Sequence, residues 1–188
     1  MPPLLTLEDC SFNYEEGDFT LRDVSLSTDG RELLGIVGPN GSGKSTLMRL
    51  MSGNYDPHAG DIRLRGRSLH DYGSRELARE LAFLPQSAPP AFEYDARDVV
   101  AMGRYPYMGA FGFPGEGDRR AVRRALEEAH AEHVADRPFS TLSGGEKQQV
   151  MVASVLAQEP ELMLLDEPAA SLDLHHQSEL MDLLWSLS

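Results

Sequence analysis

The sequence predicts an α/β fold, on three observations. Leu33-Leu34-Gly35-Ile36-Val37 is a short, continuously apolar run, as a parallel strand buried on both faces requires. Gly38-Pro39-Asn40-Gly41-Ser42-Gly43-Lys44-Ser45 follows it at once, a glycine-rich turn that leads into a helix-like stretch. Leu162-Met163-Leu164-Leu165 is a second apolar run, and it ends on two acids, Asp166 and Glu167. Strands alternating with helices around such runs define a layered α/β domain.

The elements follow in order. Leu4 to Phe12, Phe19 to Thr28 and Asp61 to Arg67 alternate apolar and polar residues between Gly and Asp turns, so each predicts a strand. After Gly43 a helix is expected, with Leu47, Leu50 and Met51 on one face and Gly53 as its stop. Residues 87–115 are rich in Pro, Gly and aromatics. Residues 118–135 predict an amphipathic helix whose apolar stripe is Val122, Ala125, Leu126 and Ala129. Arg123–Glu127 and Arg124–Glu128 sit at i,i+4 on its wet side. His130 and His133 share a face of that helix, as a solvated pair. Ser143 followed by Glu146 is a capping box, which opens a helix running through Ala157.

Composition narrows the class. The 188 residues are 41% hydrophobic, enough for a real core. No apolar run approaches the roughly 20 residues of a membrane span. Met1 to Tyr14 lacks a basic stretch followed by an apolar one, so no leader is expected and the chain should stay in the cytoplasm. Cys10 is the only cysteine, which rules out an internal disulfide and suggests a small buried hydrophobe near a strand end. A net charge of −13 disfavours a general nucleic-acid surface. Only Lys44 and Lys147 are lysines. A GC-rich genome and adaptation to high salt both account for that bias.

Three segments carry chemistry. In Gly38–Ser45, a match to G-x-x-x-x-G-K-[ST], the glycines let backbone N–H groups wrap a polyphosphate. The helix behind the loop adds about half a positive charge at its N-terminus. Lys44 would reach the β- and γ-phosphates, and the Ser45 hydroxyl would ligate Mg²⁺. Asp166 and Glu167 stand where parallel strands present ligands, at the carboxyl end. Asp166 would hold the metal and Glu167 would polarise an attacking water. In Leu142-Ser143-Gly144-Gly145-Glu146, two glycines leave the helix N-terminus bare and make a second anion site.

With these three segments in this order, the sequence resembles the ABC ATPase family, whose signature is this LSGG-E/Q run. The resemblance covers essentially the whole chain. It implies a P-loop NTPase (RecA-like) core with an N-terminal antiparallel β-subdomain, made by residues 1–86 and 158–188, and an inserted helical subdomain over residues 87–157. It implies ATP and Mg²⁺ as cofactors. Gly38, Pro39, Asn40, Gly41, Ser42, Gly43, Lys44, Ser45 and Thr46 would cradle the phosphates. Tyr14 matches the aromatic that stacks on adenine. Gln86, after Phe83-Leu84-Pro85, matches the glutamine that reaches Mg²⁺ and the attacking water, beside Ser45 and Asp166. Glu167 would be the general base, with Lys44 and Gln86 the other catalytic groups. Ser143, Gly144 and Gly145 would contact the γ-phosphate held by a second copy, and Asp173 of Ser171-Leu172-Asp173 would cross to it. Two chains should therefore pair head-to-tail around ATP.

Met102-Gly103-Arg104-Tyr105-Pro106-Tyr107 and Asp173-Leu174-His175-His176-Gln177 are similar to the importer branch for ferric siderophores, haem and cobalamin. That branch implies transmembrane permease partners. Half of the aromatics lie between Phe83 and Phe113, among them Phe92, Tyr94, Tyr105, Tyr107, Phe111 and Phe113, which suggests an exposed patch for the permease. The family pattern continues into a strand ending in a switch histidine. No histidine here matches it, and an uncovered sheet edge is expected in consequence. A soluble ABC ATPase switch and a nucleotide-binding subunit with little hydrolysis are the alternatives.

Overall fold

The computed structural model describes residues 3–16, 19–86, 93–109, 114–170 and 172–187. They form two compact units, Met1–Leu77 and Ala78–Leu187.

In the first unit β1 (Leu5–Asn13), β2 (Thr20–Thr28), β3 (Ala59–Leu64) and β4 (Arg67–Ser68) form an antiparallel sheet in the order β2-β1-β3-β4. The inward side of β1 changes phase along the strand. Leu5 and Leu7 are buried, then Cys10 and Phe12. An extra residue absorbs the change: Leu7 pairs with Leu26 but Cys10 pairs with Val24. Gly60 faces this bulge at φ +85°, where a Cβ would lie 2.3 Å from the Glu8 carbonyl oxygen, so only glycine fits. Cys10 sits at the bulge rather than near the strand end. Burial pushes its thiol above the ordinary value.

Two strand expectations are corrected here. Asp61–Arg67 is not one strand, because Arg65 and Gly66 have φ of 53° and 78° and make a two-residue hairpin turn. Leu33–Val37 forms no strand among the described residues. A strand exists only through its ladder, and no described strand pairs with this run. Leu34 and Val37 are 50% and 93% exposed. The helix α1 (Lys44–Met51) forms as expected, and Gly53 follows it at φ +72°.

In the second unit β5 (Leu81–Leu84) runs parallel to β6 (Leu162–Leu165), with Leu81 opposite Leu162 and Leu84 opposite Leu165. The helix α2 (Ser74–Glu80) crosses the boundary between units. The remaining helices are α3 (Ala96–Met102), α4 (Glu116–Glu128), α5 (Gly144–Ala157) and α6 (Leu174–Leu187). Their core includes Val99, Val100, Val122, Leu126, Val150 and Leu180. The helix expected over 118–135 stops at Glu128. His130 takes the left-handed conformation at φ 54°, and the Ala131 N–H closes back on the Leu126 carbonyl at 2.8 Å. That is a Schellman stop with histidine in the usual glycine place. A 3₁₀ turn over Glu132–Val134 follows, so His130 and His133 share no helix. Arg124 pairs with Glu128 at 3.7 Å and also with Glu159. On α6, Leu180 and Leu184 face the core while Leu174, Met181 and Trp185 are exposed, Trp185 by 62%. No helix among the described residues is long and apolar enough to cross a membrane.

Met102–Tyr107 proves to be a brace. A Cβ on Gly103 would stand 2.1 Å from the Ser154 carbonyl oxygen, so glycine lets the end of α3 lie on α5. Arg104, 7% exposed, donates to Asp118 Oδ1 at 3.0 Å, Glu159 Oε2 at 2.7 Å and the Ala157 carbonyl at 2.8 Å. Its guanidinium lies 3.9 Å from the centre of the Tyr107 ring, and the Tyr107 hydroxyl donates to the Gln158 carbonyl. Tyr107 is therefore half-buried and tied into this brace, which reduces its part in the expected exposed patch. Tyr94 is likewise packed against the core, while Tyr105 is 57% exposed. Phe92, Phe111, Phe113 and Ser171 lie outside the described residues.

Candidate functional site

In the first unit the loop before α1 has the build of an anion cradle. Gly41 and Gly43 adopt φ of +79° and +100°, a conformation that side chains oppose. The Ser42 N–H closes a turn on the Pro39 carbonyl at 3.2 Å. Gly43 is the N-cap of α1 and has no side chain to cover the first N–H groups. Those donors face outward with the helix dipole behind them. Lys44 Nζ donates to the Gly38 and Pro39 carbonyls at 2.9 and 3.1 Å. The ammonium is thus folded over the loop that it would serve. The Ser45 hydroxyl, next along α1, has no hydrogen-bond partner among the described residues.

Tyr14 stands just past β1. Its ring meets Phe12 edge-on at 5.2 Å and Tyr55 edge-on at 5.9 Å, and Phe19 lies tilted beside it at 5.9 Å. Its hydroxyl is 2.9 Å from Thr46 Oγ1 on α1. Phe19, which the sequence pattern passed over as a strand end, also packs on the loop: a Cβ on Gly43 would lie 2.7 Å from its ring.

In the second unit the end of β6 carries the two acids. The Asp166 N–H still pairs with the Leu84 carbonyl at 2.9 Å, which extends the β5–β6 ladder by one bond. The residue as a whole is 4% exposed, and its carboxylate has no hydrogen-bond or ion-pair partner among the described residues. No side-chain oxygen among the described residues is both buried and unsatisfied, so this carboxylate keeps contact with solvent and its lone pairs are available to a cation. Glu167 is exposed and holds φ 52°, an uncommon conformation for a side-chain-bearing residue and a mark of local strain. Its Oε2 accepts from Gln86 Nε2 at 2.7 Å. The structure thus brings together Gln86 and Glu167, which are 81 residues apart.

The α5 N-terminus is the capping box expected. Glu146 N–H donates to Ser143 Oγ at 3.3 Å, and Glu146 Oε2 accepts from the Ser143 N–H at 2.7 Å. Those Ser143 groups, with Arg137 2.9 Å away, hold the Glu146 carboxyl below its usual range. Gly144 and Gly145 open the helix without side chains of their own, while Ser143 Oγ caps the Glu146 N–H. Asp173 caps α6 in the same way. Its Oδ1 accepts from the His176 and His175 N–H groups at 3.0 and 3.1 Å and meets His176 Nδ1 at 2.8 Å. His176 first, then His175, holds this carboxyl below the ordinary value.

A groove of about 410 Å³ between α3 and α4 had no forecast in the sequence. Ala101, Val122, Leu126 and Ala135 line its floor, with Arg97, Arg119 and Arg123 among its polar groups. Arg119 and Arg123 have no ion-pair partner among the described residues. Their i,i+4 spacing was visible, but α4 alone does not show what lies opposite.

The glycine-rich loop before α1 and the acid pair at the end of β6 are each the kind of feature that P-loop nucleotide-binding proteins carry. The model of the ABC transporter family matches residues 21–170, and the chain belongs to that family. It is 45% identical over 168 residues to the hemin import ATP-binding protein HmuV of Gloeobacter violaceus, covering 86% of this chain and 60% of that one. It is 41% identical over 172 residues to the cobalamin import ATP-binding protein BtuD of Halobacterium salinarum, covering 92% and 43%. With the iron(3+)-hydroxamate import ATP-binding protein FhuC of Bacillus subtilis it shares 39% over 164 residues, covering 87% and 61%. The chain therefore spans about two fifths to three fifths of the length of these relatives. Among solved structures, the dimeric ATP-binding cassette MJ0796 bound to ADP and Pi superposes with a TM-score of 0.82 at 28% identity, covering 96% of this chain and 81% of that one.

Proposed function

We propose that this chain is the ATP-binding and hydrolysing part of an importer, with an iron-siderophore, haem or cobalamin as cargo. The acid pair at the end of β6 carries the reading: the Asp166 carboxylate uses no hydrogen bond or ion pair within the described residues, and Glu167 holds a left-handed backbone and accepts from Gln86. One acid is built to meet a cation and the other to handle a proton. Residues Gly38 to Thr46 hold the triphosphate, through backbone N–H groups at all of them except Pro39, and Lys44 turns from its loop carbonyls to the β- and γ-phosphates. Ser45, Asp166 and Gln86 are the residues that would hold Mg²⁺, which would supply neutralising charge to the triphosphate when bound. Glu167 takes the proton of the attacking water. Glu167 only accepts hydrogen bonds, so the Gln86 amide must turn its nitrogen to the base, which leaves its oxygen free for the cation.

A second copy would complete the site, with Ser143, Gly144 and Gly145 on the γ-phosphate and Asp173 beside it. The solved cassette dimer supports pairing. The cargo class rests on the import roles in the names of the relatives. The permease contact rests on the α3–α4 groove, where Arg97, Arg119 and Arg123 outnumber the acids Asp98 and Glu132, which suits a short amphipathic segment bearing carboxylates at the Arg119 and Arg123 side.

The test is ATP turnover with the cognate permease in membranes. Glu167→Gln should bind ATP but release no phosphate above background. Arg119→Glu with Arg123→Glu should lower permease-stimulated turnover at least tenfold, with the ATP affinity of the free chain kept within about twofold. If the double charge reversal assembled and turned over normally, the groove would not be the dock. If Glu167→Gln turned over at the parent rate, Glu167 would not be the base.

A further inference from the structure

The hydroxyl of Tyr14 and the hydroxyl of Thr46, 2.9 Å apart, join a ring at the end of β1 to the first turn of α1. Thr46 is 7% exposed as a residue, and among the described residues its hydroxyl has the Tyr14 hydroxyl as its one hydrogen-bond partner. The Tyr14 oxygen lies on the axis about which its ring flips. A bond at that oxygen therefore fixes where the ring stands and leaves the tilt to its neighbours. Phe12 and Tyr55 set the tilt, both meeting the ring edge-on. Ring and helix N-terminus become one rigid piece.

We propose that Thr46 is a positioning residue: its hydroxyl sets the separation between the Tyr14 ring and the phosphate loop, and so selects nucleoside triphosphates over other polyphosphates. This rests on the reading that Tyr14 stacks on the base. A ligand with an aromatic base and a triphosphate must span from ring to loop in one pose. A platform held at a fixed separation binds it without first paying to order the ring. A base-free polyphosphate uses the loop alone and gains nothing from the link. Phe19 adds a second constraint, since its ring fills the space over Gly43 and lies beside Tyr14.

The experiment is calorimetric titration of the purified chain with Mg-ATP and with Mg-tripolyphosphate. The readout is the ratio of the two affinities, which general damage to the loop would not change. Tyr14→Ala should lower the ratio about tenfold or more, as expected for losing a base stack. Thr46→Val and Tyr14→Phe should each lower it about three- to tenfold, as expected for one hydrogen bond. The double variant should lose no more than either single, because both remove the same bond. Thr46→Ser should restore the parent ratio. If Tyr14→Ala lowers the ratio while Thr46→Val and Tyr14→Phe do not, the base reading stands and the anchor is overturned. If Tyr14→Ala leaves the ratio unchanged, the base reading fails and the anchor with it. Should Thr46→Val not fold, Tyr14→Phe, which removes only one oxygen, decides the matter.

Discussion

Lys44 and Glu167 both lie in contacts that a nucleotide must rearrange, and their substitutions should separate binding from chemistry. Lys44→Ala removes the one ammonium over the phosphate loop, now bonded to the Gly38 and Pro39 carbonyls. ATP affinity measured by titration should fall at least tenfold, since a charge-assisted contact to phosphate is worth about 1.5–3 kcal/mol. Glu167→Gln keeps the size of the side chain and removes its capacity to take a proton. Affinity should stay within about threefold of the parent, with turnover lost. An equal loss of affinity in both variants would place Glu167 in the cradle instead. The 2.7 Å bond from Gln86 gives this residue a second consequence. In Glu167→Gln two amides face each other and can still pair, so the variant should keep the local geometry.

Each helix terminus states what holds it, and the brace around Arg104 is the clearest case. Arg104 is 8% exposed at its side chain and Asp118 14%, so removing the cation strands a half-desolvated carboxylate. Arg104→Met should cost about 3 kcal/mol in chemical unfolding. Arg104→Lys should not restore it, since one ammonium cannot reproduce the fork to Asp118, Glu159 and the Ala157 carbonyl. A loss under about 1 kcal/mol in both would show that the network adds little. The Asp173 cap makes a pH prediction. Its carboxyl is held below the ordinary value, first by the His176 N–H groups. The folded state therefore favours the ionised form. The added stability is present above the unfolded value of about 3.9 and is lost as pH falls through the lower folded value. Asp173→Ala should lower the unfolding midpoint at neutral pH, and the gap to the parent should narrow as pH falls below the ordinary carboxylate value. A gap of constant size would remove the charge from the explanation. Elements written in local chemistry were legible in the sequence. The capping box at Ser143 and Glu146 gave the start of α5, and its end at Ala157 also holds. The stop of α4 at His130 was not legible, because the sequence mark of a left-handed helix stop is glycine or asparagine and neither stands there. Nor was the absence of a ladder at Leu33–Val37, since apolar composition specifies burial and not the neighbour that supplies it.

At the scale of the molecule the phosphate loop and the β6 acids were both legible as motifs. The Gln86–Glu167 and Tyr14–Thr46 bonds were not, because they join residues that sequence spacing does not relate. Association is governed by charge. Two chains of −13 repel over a Debye length of about 10 Å at 0.1 M salt. ATP-driven pairing of Glu167→Gln, followed by light scattering, should therefore strengthen as salt rises. A monomer at every salt and ATP concentration would count against the sandwich. Trp185 offers another way to follow such events. It is the only tryptophan, and it stands 62% exposed on the outer side of α6. Excited at wavelengths that tyrosine does not absorb, the chain emits from this one largely exposed indole, which iodide can reach. Any encounter that covers this side of α6 will move the emission to the blue and shield it from iodide. The protein carries its own optical probe there, and no dye need be attached.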